Sequence, residues 1–197
     1  MPGARTVSRG YSAVQTARLV SALRWVCGRL SEIVDAWASE AAAGSADAGA
    51  AAAVGMAVLS RRLAAHRGVL DGLQPDSERL SAWRQATPAD ESLAGALDGI
   101  AALEGLSERL AVARGVLVPQ LLGAYRQIVA HAAPHCDGAL ASAAGSLGHD
   151  LDRMGHQPAG AGQPEAVETA AGILSAAGGI VGPSVLRPED WDWSPSR

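Results

Sequence analysis

The chain of 197 residues contains no lysine and no phenylalanine, only two cysteines and few other aromatics. Each shortage excludes something. All 16 basic residues are arginines, they form no dense cluster, and 20 acidic residues outnumber them, so the basic face that displaces counterions from nucleic-acid phosphates is missing. No nucleic acid is expected as a partner. Lys and Phe codons are rich in A and T, and their joint absence points to a GC-rich bacterial genome. Cys27 and Cys136 fall in separate predicted helices without a Cys-x-x-Cys partner, which excludes a disulfide framework or a zinc ribbon and suits buried thiols in a reducing compartment. The expected location is cytoplasmic: the basic start, Met1 to Gly10, leads into an amphipathic helix carrying Arg18, Arg24 and Arg29, not into a signal core. The longest uncharged run, Thr169 to Leu186, is interrupted by Gly172, Gly178, Gly179, Gly182 and Pro183, so no membrane span is expected.

Catalytic motifs are missing as well. There is no Gly-x-Ser-x-Gly, no Gly-rich phosphate loop on a strand, and hardly a strand to carry one. No Glu-x-x-His occurs anywhere, which excludes a standard di-iron carboxylate site, because six hard ligands must converge there from four helices.

What is present is helical periodicity. Leu19, Leu23, Val26, Leu30, Ile33 and Trp37 step by threes and fours, and so do Met56, Leu59, Leu63, His66, Leu70 and Leu73. A first helix is expected over 12–43, capped by Ser12, and a second over 51–73, stopped at Pro75. Ser77 to Gln85 can form a short helix, and Thr87-Pro88-Ala89-Asp90 opens a third long one over 89–132, with a seam at Leu97, Ile100, Leu103, Leu106, Leu110, Leu117, Leu121 and Ile128. Pro119 inside it faces the carbonyl of Gly115 and predicts a kink instead of a break. A fourth helix over 135–155 buries Leu140, Leu147, Leu151 and Met154. The predicted organisation is all-α: a flexible leader (1–11), an antiparallel four-helix bundle (12–156), a hinge (157–164), and a short C-terminal helix with an extended tail (165–197) holding Trp191 and Trp193.

His66 is the polar member of an otherwise apolar seam. The preferred expectation is a core imidazole bonded to a carbonyl or a carboxylate. The chemical alternative makes it a base or a mononuclear metal ligand, with Glu40 or Glu104 as its orienting carboxylate. His149, Asp152 and His156 share one helical face that could clip a metal in principle, but Leu147, Leu151 and Met154 mark the buried side, so a solvated face is expected and no metal is assigned.

The stretches Ala65-His66-Arg67, Arg114 through Arg126, Ala133-Pro134 and Gly148-His149-Asp150-Leu151-Asp152 resemble small actinobacterial ferritin-like proteins, over less than half of the chain. The resemblance implies an up-and-down four-helix bundle. Members of the wider superfamily include di-iron oxidases, hydroxylases and iron stores, but only His66 falls near a ligand-type position, so what is implied here is a member without metal or other cofactor. The expected function is a non-catalytic bundle acting through a protein partner or self-association, such as a homodimer, in support of a biosynthetic enzyme, with Trp191 and Trp193 either as the anchor into that partner or as a lid packed back on their own bundle. One alternative is an atypical oxidoreductase built on His66, Glu40 and Glu104. Another is a small-molecule carrier or sensor with an apolar pocket near Trp25, Trp37, Trp83 and Tyr125.

Overall fold

Long apolar seams interrupted by few helix breakers dictate helices, and the computed structural model, which describes residues 10–44, 47–133, 135–154 and 163–181, is all-helical, with no strand among them. In chain order the helices are α1 (Ala13–Ala43), α2 (Asp47–Asp71), α3 (Glu91–Ala101), α4 (Leu106–Val112), α5 (Val118–His131), α6 (Gly138–Arg153) and α7 (Pro164–Ala176). A 3-10 turn, Glu78–Trp83, precedes α3, and a π-helical turn, Ala113–Leu117, joins α4 to α5. Ser12 caps α1 as expected: its hydroxyl accepts from Gln15 N–H while the Gln15 side chain accepts from Ser12 N–H.

Helices α1 and α2 form an antiparallel pair, since partners run in opposite senses: Ser31 meets Ser60, Gly28 meets Arg67, and Arg24 pairs with Asp71. Ser31 and Ser60 each donate to the other's backbone carbonyl at 3.0 Å, which satisfies two hydroxyls where the helices touch. Both predicted seams face inward, with Leu19, Leu23, Leu30, Trp37, Met56, Leu63 and Leu70 all buried. Helices α5 and α6 form a second antiparallel pair, in which Leu122 and Tyr125 face Gly148 at a distance where a Cβ on it would make ordinary contact with both. The two pairs, α3 and α7 share one hydrophobic core, to which α7 and the residues after it contribute Ala170, Leu174, Ile180 and Val181.

The single helix expected over 89–132 is corrected in two respects. It starts at Glu91, with Asp90 as its cap accepting from Ser92 N–H at 2.7 Å, so Pro88 lies outside it. It breaks at 102–105, where Gly105 takes a left-handed φ of 69°. Carbonyls freed by the break are met by side chains: Trp37 Nε1 donates to Ala101 O at 3.2 Å and Arg109 Nε to Leu103 O at 2.7 Å. At Pro119 the helix does not break. Val118 N–H bonds back five residues to Ala113 O, and this widened turn accommodates the ring that would otherwise strike the Gly115 carbonyl.

The N-terminal entry is pinned. Buried Asp137 accepts from Tyr11 N–H and Ala133 N–H, both at 2.9 Å, and ties the residues before α1 to the α5–α6 turn. Gly10 and Tyr11, assigned to the leader from sequence, are therefore buried. Among the described residues, no helix is long and apolar enough to cross a membrane.

Candidate functional site

His66 lies one helical turn after Arg62, so α2 presents both on one face. That face meets α5 and α6. The His66 ring is only 2 % exposed, with Nδ1 at 3.2 Å from Tyr125 Oη and Nε2 at 3.3 Å from Asp150 Oδ2. Tyr125 Oη also lies 3.4 Å from Cys27 Sγ of α1, and Arg62 pairs with the other oxygen of Asp150. One side chain from each of α1, α2, α5 and α6 thus enters a single hydrogen-bond chain: Cys27, Tyr125, His66, Asp150, with Arg62 at its outer end.

The carboxylate can only accept, and this assigns the remaining hydrogens. Nε2–H donates to Asp150, Nδ1 accepts from the Tyr125 hydroxyl, and the phenol oxygen accepts from the Cys27 thiol. Burial pushes the Cys27 thiol up to about 12, despite the opposing effect of its hydrogen bond with Tyr125. Burial, then the neighbouring Cys27, likewise raises the Tyr125 phenol well above its ordinary value. For His66, burial outweighs the Asp150 carboxylate and lowers the pKa. Asp150 is pulled up by its partial burial, but the bonds from His66 and Arg62 outweigh this and hold it below the usual carboxylate value. The interior part of the chain is therefore neutral near pH 7, and charge appears only at the surface, in the Arg62–Asp150 pair.

That arrangement disfavours acid–base or nucleophilic work. His66 is sealed from solvent, and Cys27 is a buried thiol, not a thiolate. Glu40 and Glu104, the carboxylates expected beside His66, are both exposed. Glu40 instead pairs with Arg109 at 2.6 Å, at the far end of α1, and Arg109 also stacks over the Trp37 ring. The carboxylate on His66 is Asp150. His149 is exposed, Asp152 pairs with Arg126 at 3.1 Å, and His156 lies outside the described residues, as do Trp191 and Trp193. Among the described residues no three His, Cys, Asp or Glu side chains gather as a metal-holding group.

Arg62 has a second role. Together with Arg114 of the π turn and Arg126 of α5 it lines a cleft of about 570 Å³ between α2, α4, the π turn, α5 and the end of α6. Met56, Leu59, Leu110, Val118, Leu122 and Met154 supply apolar walls, and Gly55, Gly115 and Gly123 leave the space unfilled. None of Trp25, Trp37, Trp83 and Tyr125, near which a pocket was expected, lines this cleft; Trp37 and Tyr125 are buried in the core, and Trp83 lies under Arg18. A smaller cavity of about 460 Å³ shares Gly115, Pro119 and Gly123 as a wall and opens toward Gly178 to Val181, with no charged side chain in its lining.

No protein-family model, curated protein or solved structure matches this chain. The functional reading therefore rests on the site's own atoms. Sequence reasoning singled out His66 but missed Arg62, Asp150 and the role of Tyr125. A signal existed for two of these. Tyr125 sits on the Leu121, Ile128 face of its helix and needs a partner for its hydroxyl once buried, and Arg62 precedes His66 by four.

Proposed function

We propose that this protein is a non-catalytic helical bundle that binds a small amphipathic molecule in the cleft between α2, the π turn, α5 and α6. The observation that carries the proposal is the cleft itself: apolar walls, a few convergent polar groups at one side, and a volume within the range of roughly 300–1,000 Å³ usual for small-molecule sites. Its placement in a π-helical turn supports it, because such turns recur where a helix must open its surface for function. We take the framework to be a four-helix bundle of ferritin-like kind, formed by the pairs α1/α2 and α5/α6. Its support is the convergence of Cys27, His66, Tyr125 and Asp150 from those four helices. The neutral buried chain then serves to hold the cleft-bearing helices in register, not to perform chemistry.

The test uses N-phenyl-1-naphthylamine, an uncharged probe whose fluorescence rises in apolar surroundings. Saturable binding with micromolar affinity is expected. Gly55 lines this cleft and not the smaller cavity, and a Cβ there meets only Arg114 Nη2 at 3.7 Å, an ordinary contact. Gly55→Leu, checked for folding by circular dichroism, should lose most probe binding. Probe binding that is absent, or unchanged in Gly55→Leu, refutes the proposal.

A further inference from the structure

We infer that the ligand of this cleft is an anionic amphiphile, a free molecule with one carboxylate-, sulfonate- or phosphate-type head group on an apolar body. This rests on the cleft being the binding site and goes on to say what enters it.

Guanidinium donors point to the head group. Arg62, Arg114 and Arg126 line the cleft, and Arg62 and Arg126 are each held by one carboxylate of α6. The guanidiniums are also oriented. Helix α6 supplies Asp150 to Arg62 and Asp152 to Arg126, and in both pairs the arginine uses a single terminal nitrogen: Nη1 of Arg62, and Nη2 of Arg126, which reaches both Asp152 oxygens at 3.1 Å. A guanidinium carries five N–H donors in a rigid plane, so an arginine anchored through one nitrogen keeps donors for a second anion in the same plane. Arg62 and Arg126 are 38 % and 63 % exposed, which leaves them within reach of an arriving ligand.

Apolar surface points to the body of the ligand. Leu110, Val118 and Met154, which are only partly buried, line the same concavity over buried Met56, Leu59 and Leu122, and an inorganic anion would leave the first three facing water. Met154 at the margin adapts to a flexible or irregular chain without fixing its shape.

The experiment compares two probes with one ring system on the full chain: N-phenyl-1-naphthylamine and its 8-sulfonate, 1-anilinonaphthalene-8-sulfonate, whose charge does not change between pH 5 and 8. The readout is the ratio of their dissociation constants. In Arg62→Gln/Arg126→Gln the preference for the sulfonate should fall about tenfold, as expected for lost hydrogen bonds to a charged group. Arg126→Gln alone, at the more exposed site, should give part of that loss, and circular dichroism confirms that it is folded. Raising sodium chloride should weaken the sulfonate selectively. A ratio that neither the substitutions nor salt moves overturns the anionic assignment while leaving the cleft as a binding site. Failure of the uncharged probe to bind, or its indifference to Gly55→Leu, refutes the cleft instead.

Discussion

Replacing Tyr125 by phenylalanine removes one oxygen atom from the middle of the buried chain and changes little else. The hydroxyl is the partner of His66 Nδ1 at 3.2 Å and of Cys27 Sγ at 3.4 Å. Its loss leaves an imidazole lone pair buried without a donor, which costs about 1–3 kcal/mol, while the thiol bond is weak and adds little. The expected destabilisation is about 2 kcal/mol, or about 4–8 °C in melting temperature for a chain of this size. The diagnostic step is to repeat the change in His66→Leu. There the orphaned lone pair no longer exists, Asp150 still has Arg62, and the same Tyr125→Phe substitution should cost about 0.5 kcal/mol. A coupling of about 1.5 kcal/mol stands well above the scatter of about 0.3–0.5 kcal/mol seen for independent sites. Urea titrations followed by circular dichroism at a common slope give all four corners of the cycle. Equal costs of Tyr125→Phe in both backgrounds would refute the chain as a linked unit.

Stability should fall on acidification in two stages. The lowered His66 pKa means that the unfolded chain, titrating near 6.5, takes up a proton that the native state refuses, so this contribution is complete above pH 6.5 and is lost as the pH drops below it. Asp150, held below its ordinary 3.8, contributes fully above that value and loses its contribution as the pH falls through its lower native pKa. Melting curves from pH 7.5 to 3 should show both stages in the parent and only the second in His66→Leu; a first stage that persists in the variant contradicts this. Of the two thiols, exposed Cys136 should react with a disulfide reagent within minutes and Cys27 only as the protein unfolds, so equal rates would show that Cys27 is not sealed. One chemical change, glycine to alanine, should have opposite signs at two sites. At Gly10 a Cβ would lie 2.5 Å from Ala133 Cβ and 2.7 Å from Asp137 Oδ2 at a φ of 68°, costing about 2 kcal/mol or more. At Gly95, inside α3 with open space around it, alanine should stabilise by about 0.5–1 kcal/mol. Urea midpoints that shift in the same direction at both positions would refute the argument.

The long helices were legible because α1 and α2 repeat their apolar residues over many turns with nothing to interrupt them. The break at 102–105 was not, since Leu97, Ile100, Leu103, Leu106 and Leu110 keep helical spacing straight across it. Only Gly105 marks the spot, and the groups that make the break tolerable, Trp37 and Arg109, reach it from outside the interrupted turn. The site divides in the same way. A histidine in an apolar seam announces itself, whereas its carboxylate is chosen by how α2 lies against α6, a relation that no spacing within either helix records. Glu40 and Glu104 were plausible partners by position on their own helices and proved to be surface groups. The cleft was the least legible, because it is defined by missing bulk at Gly55, Gly115 and Gly123 and by a widened turn.

That widened turn sets the phase of α5 in a way that side-chain chemistry does not reveal. A π turn holds one residue more than the α-helical turn it replaces, and one residue corresponds to about 100° of rotation. Rewinding Ala113–Leu117 into ordinary α geometry with every residue kept would swing everything after it around the axis of α5 by that angle. Tyr125 would leave His66, and Arg126 would leave the cleft. Deleting one residue from the turn as it closed would restore the phase, so the site depends on how one turn is wound and not only on the side chains that follow it.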